Sequence, residues 1–89
     1  MLGNLTPQIA RELDLPSNRR GAVITQVDPN GSSAGRLHER DVILSVNGQK
    51  VENAADAGRE LQRITAGRYA QVLIWREGDG EVFVTIRKE

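Results

Sequence analysis

The sequence predicts one small α+β domain of about five strands with two or three helices. Its 89 residues, 38% hydrophobic and 27% charged, suit a single folded domain, and no internal repeat or linker divides residues 1–89. Short runs rich in β-branched residues alternate with turn residues, which favours the strands of a sheet. One longer stretch repeats its apolar residues at helical spacing.

A short helix is predicted first. Thr6 can cap it, and Pro7 fits its first position because the N–H that proline lacks has no helical partner there. Ile9 and Leu13 lie four residues apart and therefore share one face. The polar, turn-rich stretch over 15–21 is predicted to be a loop.

The middle of the chain is predicted to form two strands. Residues 22–27 are rich in β-branched side chains, and 41–46 lead into Asn47-Gly48, the strongest short signal for a β-hairpin. The connecting pieces are a turn over 28–31, a turn of helix over 32–35 and a brief returning segment over 49–51.

The longest helix is predicted over 53–64. Asn53 and Asp56 have the spacing of a capping box, and the helical pattern ends at Gly67. The apolar residues that recur on one face of this helix are Ala57, Leu61 and Ile64. The chain then closes in an antiparallel hairpin, with strands over 69–76 and 81–87 and a turn over 77–80.

Composition argues against several classes of function. The 12 basic and 12 acidic residues cancel, so the charged surface typical of nucleic-acid or membrane-surface binding is missing. The longest apolar run, over 72–75, has four residues, so this segment is not expected to insert into a membrane. The chain has no Cys and one His, His38, in a charged loop, which leaves no nucleophilic triad, metal site or cofactor site. A hydrolase acting alone is the function that the sequence supports least.

One stripe of the longest helix is unusual. Ala54 and Gly58 carry almost no side chain beside Leu61, although Gly inside a helix costs about 1 kcal/mol relative to Ala. The small residues either leave a groove in which another chain can lie against a sheet edge, or let the helix pack closely on its own sheet. From this stripe alone both interpretations stay open.

Residues 35–48, with the sequence GRLHERDVILSVNG, resemble the Gly-Arg-Leu-x-x-Gly-Asp-x-Ile-Leu-x-Val-Asn-Gly signature of PDZ domains. Residues 21–29 are similar to the strand and turn that precede this signature, and the helix over 53–64 and the closing hairpin follow in the family's order. The resemblance covers nearly the whole chain. It implies a PDZ-like fold, a small, partly open β-barrel or sandwich.

The opening of the chain, residues 5–16, is similar to the start of PDZ modules in bacterial HtrA (DegP-like) serine proteases, particularly the second of two such modules. This resemblance implies a non-enzymatic module of a longer serine protease of the periplasm or cell envelope. Such modules capture exposed C-termini or unfolded, extended segments. They regulate substrate access or assembly beside the protease domain of the parent chain.

The resemblance also implies a peptide-binding site that works by β-augmentation. A peptide would add as a strand beside the helix over 53–64, and the backbone N–H groups of a loop would hold its terminal carboxylate. The positions that match the family's site are Leu2, Gly3, Asn4 and Leu5 in the loop, and Ala54, Gly58 and Leu61 on the helix. Because Ala54 and Gly58 are small, bulky apolar ligand side chains are expected to be tolerated.

Two departures from the family pattern have consequences. Arg40 stands where the family has Gly before Asp41, so a positive φ at this position would strain the backbone. Thr6-Pro7 follows the loop at once, which leaves little room for the strand that should pair with a peptide. An alternative function is therefore a structural docking or oligomerisation module whose groove is closed or incomplete.

Overall fold

The structure, a computed structural model, describes residues 1–16, 18–27, 30 and 35–88. Its elements in chain order are β1 (Leu2–Asn4), α1 (Pro7–Glu12), β2 (Ala22–Ile24), β3 (Val42–Val46), β4 (Gln49–Lys50), α2 (Ala54–Gln62), β5 (Tyr69–Arg76) and β6 (Gly80–Arg87). The predicted α+β class is confirmed, and these described residues hold six strands rather than about five because β1 is also a strand. The turn predicted over 28–31 and the helical turn predicted over 32–35 fall largely on residues 28–29 and 31–34, which lie outside the described residues.

All six strands form one antiparallel sheet in the order β1-β2-β3-β5-β6, with β4 paired to β3. Strand β2 is shorter than the predicted 22–27 because its ladder to β1 ends at Ile24. Across the residues that the structure describes, β1 and β6 stand at the two ends of the strand order, and the short β4 likewise pairs with one strand only.

The sheet carries a core cluster on each face because successive side chains of a strand point to opposite sides. On one face, Val42 and Leu44 of β3 pack with Leu13 at the end of α1. On the other face, Ile43 and Val46 pack with Ala57 of α2. Ile43 and Val46 share a face although they lie three residues apart, because the ladder to β5 shifts register between Ile43 and Ser45.

Both helices begin where their capping residues predict. The Thr6 side chain accepts the Ile9 N–H at 3.2 Å, and Pro7 occupies the first helical turn. At the start of α2, the Asn53 side chain accepts the Asp56 N–H at 2.8 Å while the Asp56 side chain accepts the Glu52 N–H at 3.1 Å. The Asn53 cap is therefore confirmed, but Asp56 accepts the N–H of the residue before the cap rather than the Asn53 N–H that completes a standard capping box. No helix in the described part of the chain is long and apolar enough to cross a membrane.

The β3–β4 hairpin turns at Asn47-Gly48, as predicted. Asn47 has φ 48° and Gly48 has φ 82°, so both central residues adopt the left-handed conformation that a two-residue hairpin turn needs. The Asn47 side chain also accepts the Gln71 N–H at 2.8 Å, which ties the turn to β5.

A buried ion pair joins the start of β3 to the end of β5. Asp41 is only 2% exposed, and its carboxylate accepts hydrogen bonds from Arg76 Nε at 3.0 Å and from Arg76 Nη2 at 2.7 Å. The same carboxylate accepts the His38 N–H at 2.9 Å. The hydrogen bonds to Asp41 raise the pKa of Arg76 above its ordinary value, against the opposing effect of burial. The pair therefore holds the loop before β3 against the sheet.

The expected strain at Arg40 is present. Its φ is 73°, in the left-handed region that costs a non-glycine residue roughly 1–2 kcal/mol. The Arg40 side chain adds little stability that could offset this strain, since its contact with Glu12 spans 3.7 Å and both side chains are more than half exposed.

Arg40→Gly is therefore expected to raise the free energy of unfolding by about 1 kcal/mol, because Gly adopts this φ without strain and its greater freedom in the unfolded chain offsets part of the gain. Urea denaturation measures the change. Arg40→Ala is the matched control: it removes the same ion pair but keeps the Cβ and the strain, so it should give no gain. Equal stability of the Gly and Ala variants would contradict strain as the cause.

Candidate functional site

Strand β1 exposes one side of its backbone at the edge of the sheet. The Leu5 N–H donates at 3.2 Å to the residue before β2, and the Met1 carbonyl accepts at 2.9 Å from the residue after β2. Backbone groups alternate between the two sides of an antiparallel strand, so residues 1, 3 and 5 face β2. The N–H and C=O groups of Leu2 and Asn4 consequently point to the open edge.

Helix α2 borders this edge with its stripe of small residues. Ala54, Gly58 and Leu61 are all half-buried. A Cβ placed on Gly58 would meet no atom within 4 Å, so the space beside it is open. Close packing of α2 on its own sheet would have filled that space, so the structure favours a groove as the reason for the small residues.

The floor of this groove is apolar. Leu2 from β1 and Leu61 from α2 are partly buried and pack against the same core cluster, which also contains Ala57. Ile64, just beyond α2, packs on that cluster as well. An apolar side chain entering between β1 and α2 would therefore meet hydrocarbon and lose contact with water.

Asn4 links the two walls of the groove. Its side-chain oxygen accepts the Ala54 N–H at 2.8 Å, which satisfies one of the N–H groups left without a partner at the start of α2. The contact sets the direction of the walls: the end of β1 lies at the start of α2. Sequence reasoning missed this role because fifty residues separate the partners and no local pattern connects them.

The predicted site residues are only partly brought together. Leu2, Gly3 and Asn4 form a strand rather than the expected loop, because they pair in register with β2 and their N–H groups do not converge on one point. Leu2 and Asn4 border the groove together with Ala54, Gly58 and Leu61. The Leu5 side chain packs in the cluster on the opposite face of the sheet, away from α2.

Charges along α2 cancel in pairs. Asp56 forms an ion pair with Arg59, and Glu60 forms one with Arg63 at 3.2 Å, both at a spacing of three residues along the helix. Pairs of this kind contribute little to stability. They leave the helix wall of the groove without an excess of either charge.

Comparison with known proteins gives a family match that covers most of the chain. A family model described as "PDZ domain" matches residues 11–85, which include α2, the last two residues of α1, and every strand except β1 and the end of β6.

Two curated relatives are longer proteins with protease names. The chain is 33% identical over 88 residues to "Serine protease HTRA1A" of Danio rerio, covering 92% of the chain and 18% of that protein. It is 32% identical over 84 residues to "Probable periplasmic serine endoprotease DegP-like" of Brucella suis biovar 1 (strain 1330), covering 92% of the chain and 16% of that protein. The chain thus spans less than a fifth of the length of either relative.

Solved structures share the fold. "HtrA-type protease AlgW with decapeptide" superposes with a TM-score of 0.81 at 28% identity, covering 97% of the chain and 26% of that protein chain. The "HtrA3 PDZ Domain Bound to a Phage-Derived Ligand (FGRWV)" superposes with a TM-score of 0.81 at 22% identity, covering 100% of the chain and 81% of that one. The second likeness bears on the fold alone.

Proposed function

Since this chain belongs to the PDZ domain family, we propose that it binds extended peptide segments, which add as a new strand to β1 beside α2. One observation carries the proposal: the outward backbone groups of Leu2 and Asn4 border open space beside Gly58. An incoming strand would satisfy these groups, and its side chains would enter the apolar groove. Leu2, Gly3, Asn4, Ala54, Gly58 and Leu61 are the proposed contact residues, and Leu5 supports β1 through its bond to Gly21.

The arrangement of the walls supports one direction for the ligand. Asn4 at the end of β1 contacts Ala54 at the start of α2, while Leu2 at the start of β1 and Leu61 near the end of α2 pack against the same core cluster. This arrangement fits β1 and α2 running in opposite directions. A peptide that pairs antiparallel with β1 would run with α2, and its carboxyl end would lie toward Met1 and the second half of the helix. The side chain that passes Gly58 has room to be large and apolar.

The same geometry limits how a terminal carboxylate could be held. Residues 2–4 are extended and their N–H groups alternate between two sides, so they form no cradle of converging donors. We therefore assign the affinity supplied by this chain to strand pairing and to the groove, and expect internal extended segments to bind as well as free C-termini.

The role in a longer protein follows from the relatives. Both curated relatives carry serine protease names, and the chain matches less than a fifth of each. We propose that the domain serves an HtrA-like serine protease of the cell envelope, presenting unfolded segments to the protease domain or regulating its access or assembly. A solved HtrA-type protease with a similar domain is described with a decapeptide, which supports peptide ligands in this group.

A docking module is the second candidate, and the early start of α1 favours it. Because α1 begins at Pro7, β1 cannot extend far beyond Asn4 to pair with a ligand on that side. In that role the domain would hold neighbouring domains or subunits together. Deleting residues 1–89 from the full-length parent would then change the oligomeric state of the parent, and titration with peptides would detect no binding.

Titration with the peptide FGRWV tests the first proposal. Backbone amide shifts in nuclear magnetic resonance spectra should concentrate at residues 2–4 and 54–61. Shifts elsewhere, or none at millimolar peptide, would contradict binding in this groove.

Gly58 supplies a matched pair of variants for the same titration. Gly58→Leu should fill the open space and lower the affinity for the peptide by about tenfold or more, which corresponds to roughly 1.4 kcal/mol of binding free energy. Gly58→Ala adds a Cβ that meets nothing, so the peptide should still bind, and the free energy of unfolding should rise by about 1 kcal/mol from better helix propensity. Unchanged affinity in Gly58→Leu would place the peptide elsewhere.

A further inference from the structure

The second edge of the sheet, β6, is much longer than the β1 edge and lies at the opposite end of the strand order. It runs for eight residues, Gly80–Arg87, and within the described residues only β5 pairs with it. Such an edge presents a row of backbone groups to which another strand can add. This surface is separate from the groove beside α2, and its role does not depend on peptide binding there.

The outward residues of β6 follow from its register with β5. Lys88 N–H donates to the Arg68 carbonyl at 2.8 Å, and the register continues without a shift to the turn. Every second residue of an antiparallel strand directs its backbone N–H and C=O to the same neighbouring strand. Counting from Lys88, the residues whose backbone groups bond to β5 are therefore Ile86, Val84, Val82 and Gly80. The backbone groups of Arg87, Thr85, Phe83 and Glu81 therefore face the open edge. A bond from Arg36 Nη1 to the Thr85 carbonyl, at 3.3 Å, confirms that this carbonyl points outward.

The order of side chains along this edge is complementary to itself. When two copies of β6 run antiparallel about an axis through Val84, Glu81 lies opposite the partner subunit's Arg87. Phe83, which is 63% exposed, lies opposite the partner subunit's Thr85. Opposite charges and an aromatic beside a β-branched residue are both favourable cross-strand pairs.

We propose that β6 is a self-association edge: two copies of this chain pair their β6 strands antiparallel about Val84 and join their sheets into one. All four outward residues of each strand take part, and the four residue pairs allow about eight backbone hydrogen bonds. Moving the axis by one residue leaves fewer outward pairs and separates Glu81 from the partner subunit's Arg87. This charge order favours a second copy over an unrelated strand.

Arg36 opposes the pairing. Its guanidinium occupies the outward Thr85 carbonyl and must leave before a second strand can bond there. Glu81 has a competing contact with Arg19, but this spans 3.7 Å between partly exposed side chains and is weak. Arg87 has a contact of its own within the chain, and its guanidinium has five N–H donors with which to serve a partner as well.

Sedimentation equilibrium of the 89-residue chain, from micromolar to millimolar concentration, tests the pairing. The average mass should rise from 9.8 kDa toward twice that value. Arg36→Ala should strengthen the dimer by several-fold, since its backbone carbonyl still accepts from Arg76 and only the obstructing side chain is lost. Thr85→Pro removes an outward N–H that no strand among the described residues uses, so it should abolish the dimer and leave the fold intact.

Charge exchange tests the register. Glu81→Arg alone and Arg87→Glu alone should each weaken the dimer about tenfold by placing like charges opposite each other, and the double variant should recover most of the affinity. Because the chain has no Cys, Val84→Cys introduces a single thiol that lies opposite its own copy, where it should form an intersubunit disulfide on oxidation.

Three results would overturn the proposal. The chain and its Arg36→Ala variant could both stay monomeric at millimolar concentration. A dimer could form that Thr85→Pro leaves unchanged. A dimer could also dissociate on addition of FGRWV, which would place the contact at the groove beside α2. Failure of the double charge variant to recover, with no crosslink through Val84→Cys, would refute the register.

Discussion

Asp41→Ala is expected to lower the free energy of unfolding by about 3 kcal/mol, near the lower end of the range for removing one partner of a buried ion pair. The lower end applies because the Arg76 side chain keeps 21% of its exposure while that of Asp41 keeps 3%. Removing the Asp41 carboxylate leaves the Arg76 guanidinium and the His38 N–H without the acceptor to which they now donate at 2.7 to 3.0 Å. The total free energy of unfolding of a small domain is about 5–15 kcal/mol, so this substitution would remove a large fraction of it.

The effect should extend beyond the pair. Arg76 Nη2 also donates to the Arg36 carbonyl at 3.0 Å, so one guanidinium fixes both ends of the loop from Arg36 to Asp41. Since the folded state raises the pKa of Arg76, its contribution is complete below the pKa in the unfolded chain and is lost only as pH rises through the folded value, in strong alkali.

Urea denaturation of three variants checks this prediction. Glu12→Ala removes an exposed acid whose contact with Arg40 spans 3.7 Å, and its change should stay within about 0.5 kcal/mol. The double variant Asp41→Leu with Arg76→Met replaces both charges by apolar side chains and should recover much of the loss. A loss for Asp41→Ala no larger than that for Glu12→Ala would show that the pair does not stabilise the loop.

Gly21→Ala is expected to lower the free energy of unfolding by about 2–3 kcal/mol through overpacking. A Cβ at Gly21 would lie 2.8 Å from the Ile43 carbonyl oxygen and 2.8 Å from Val42 Cγ1. The carbonyl cannot move aside cheaply because it belongs to β3, where Ala22 pairs with Ile43 in the register of the sheet. The clash therefore has to be relieved by a shift of backbone.

The same substitution should also change the geometry of the proposed groove. The Gly21 carbonyl accepts the Leu5 N–H at 3.2 Å, so displacing Gly21 displaces the end of β1. Binding of FGRWV should weaken in Gly21→Ala although no proposed contact residue is changed.

Thermal and urea denaturation of Gly21→Ala beside Gly58→Ala gives a matched comparison. The two variants add the same methyl group, one against a backbone oxygen and one into open space, so their effects on stability should have opposite signs. A loss of less than about 0.5 kcal/mol in Gly21→Ala would mean that β2 and β3 adjust to the added atom.

Local elements could be predicted from the sequence because their causes are local. Thr6 and Asn53 start helices through hydrogen bonds to residues three positions on, and Asn47-Gly48 turns a hairpin through its own backbone angles. The strain at Arg40 was also predictable once the resemblance placed Gly at that position, since the requirement concerns a single φ.

Strand β1 could not be predicted in the same way. Residues 2–4 include a Gly and an Asn and show no alternation of apolar and polar residues. They are extended because β2 supplies their backbone partners, so the element exists only in the sheet. A carboxylate-binding loop is predicted at these same residues. The structure shows an extended strand there instead.

The sequence alone determined where the helices start, the β3–β4 turn and the small-residue stripe of α2, since each depends on residues within about one or two turns of one another. The order of these local elements along the chain was enough to predict the fold class. The end of the longest helix was predicted less well, since α2 ends at Gln62 rather than at 64. Tertiary structure decided that open space lies beside Gly58, that Asn4 caps α2 across fifty residues and that Asp41 meets Arg76 across thirty-five. It also decided which edges of the sheet stay free. These contacts join distant parts of the chain, and only the packed sheet sets the distances between them.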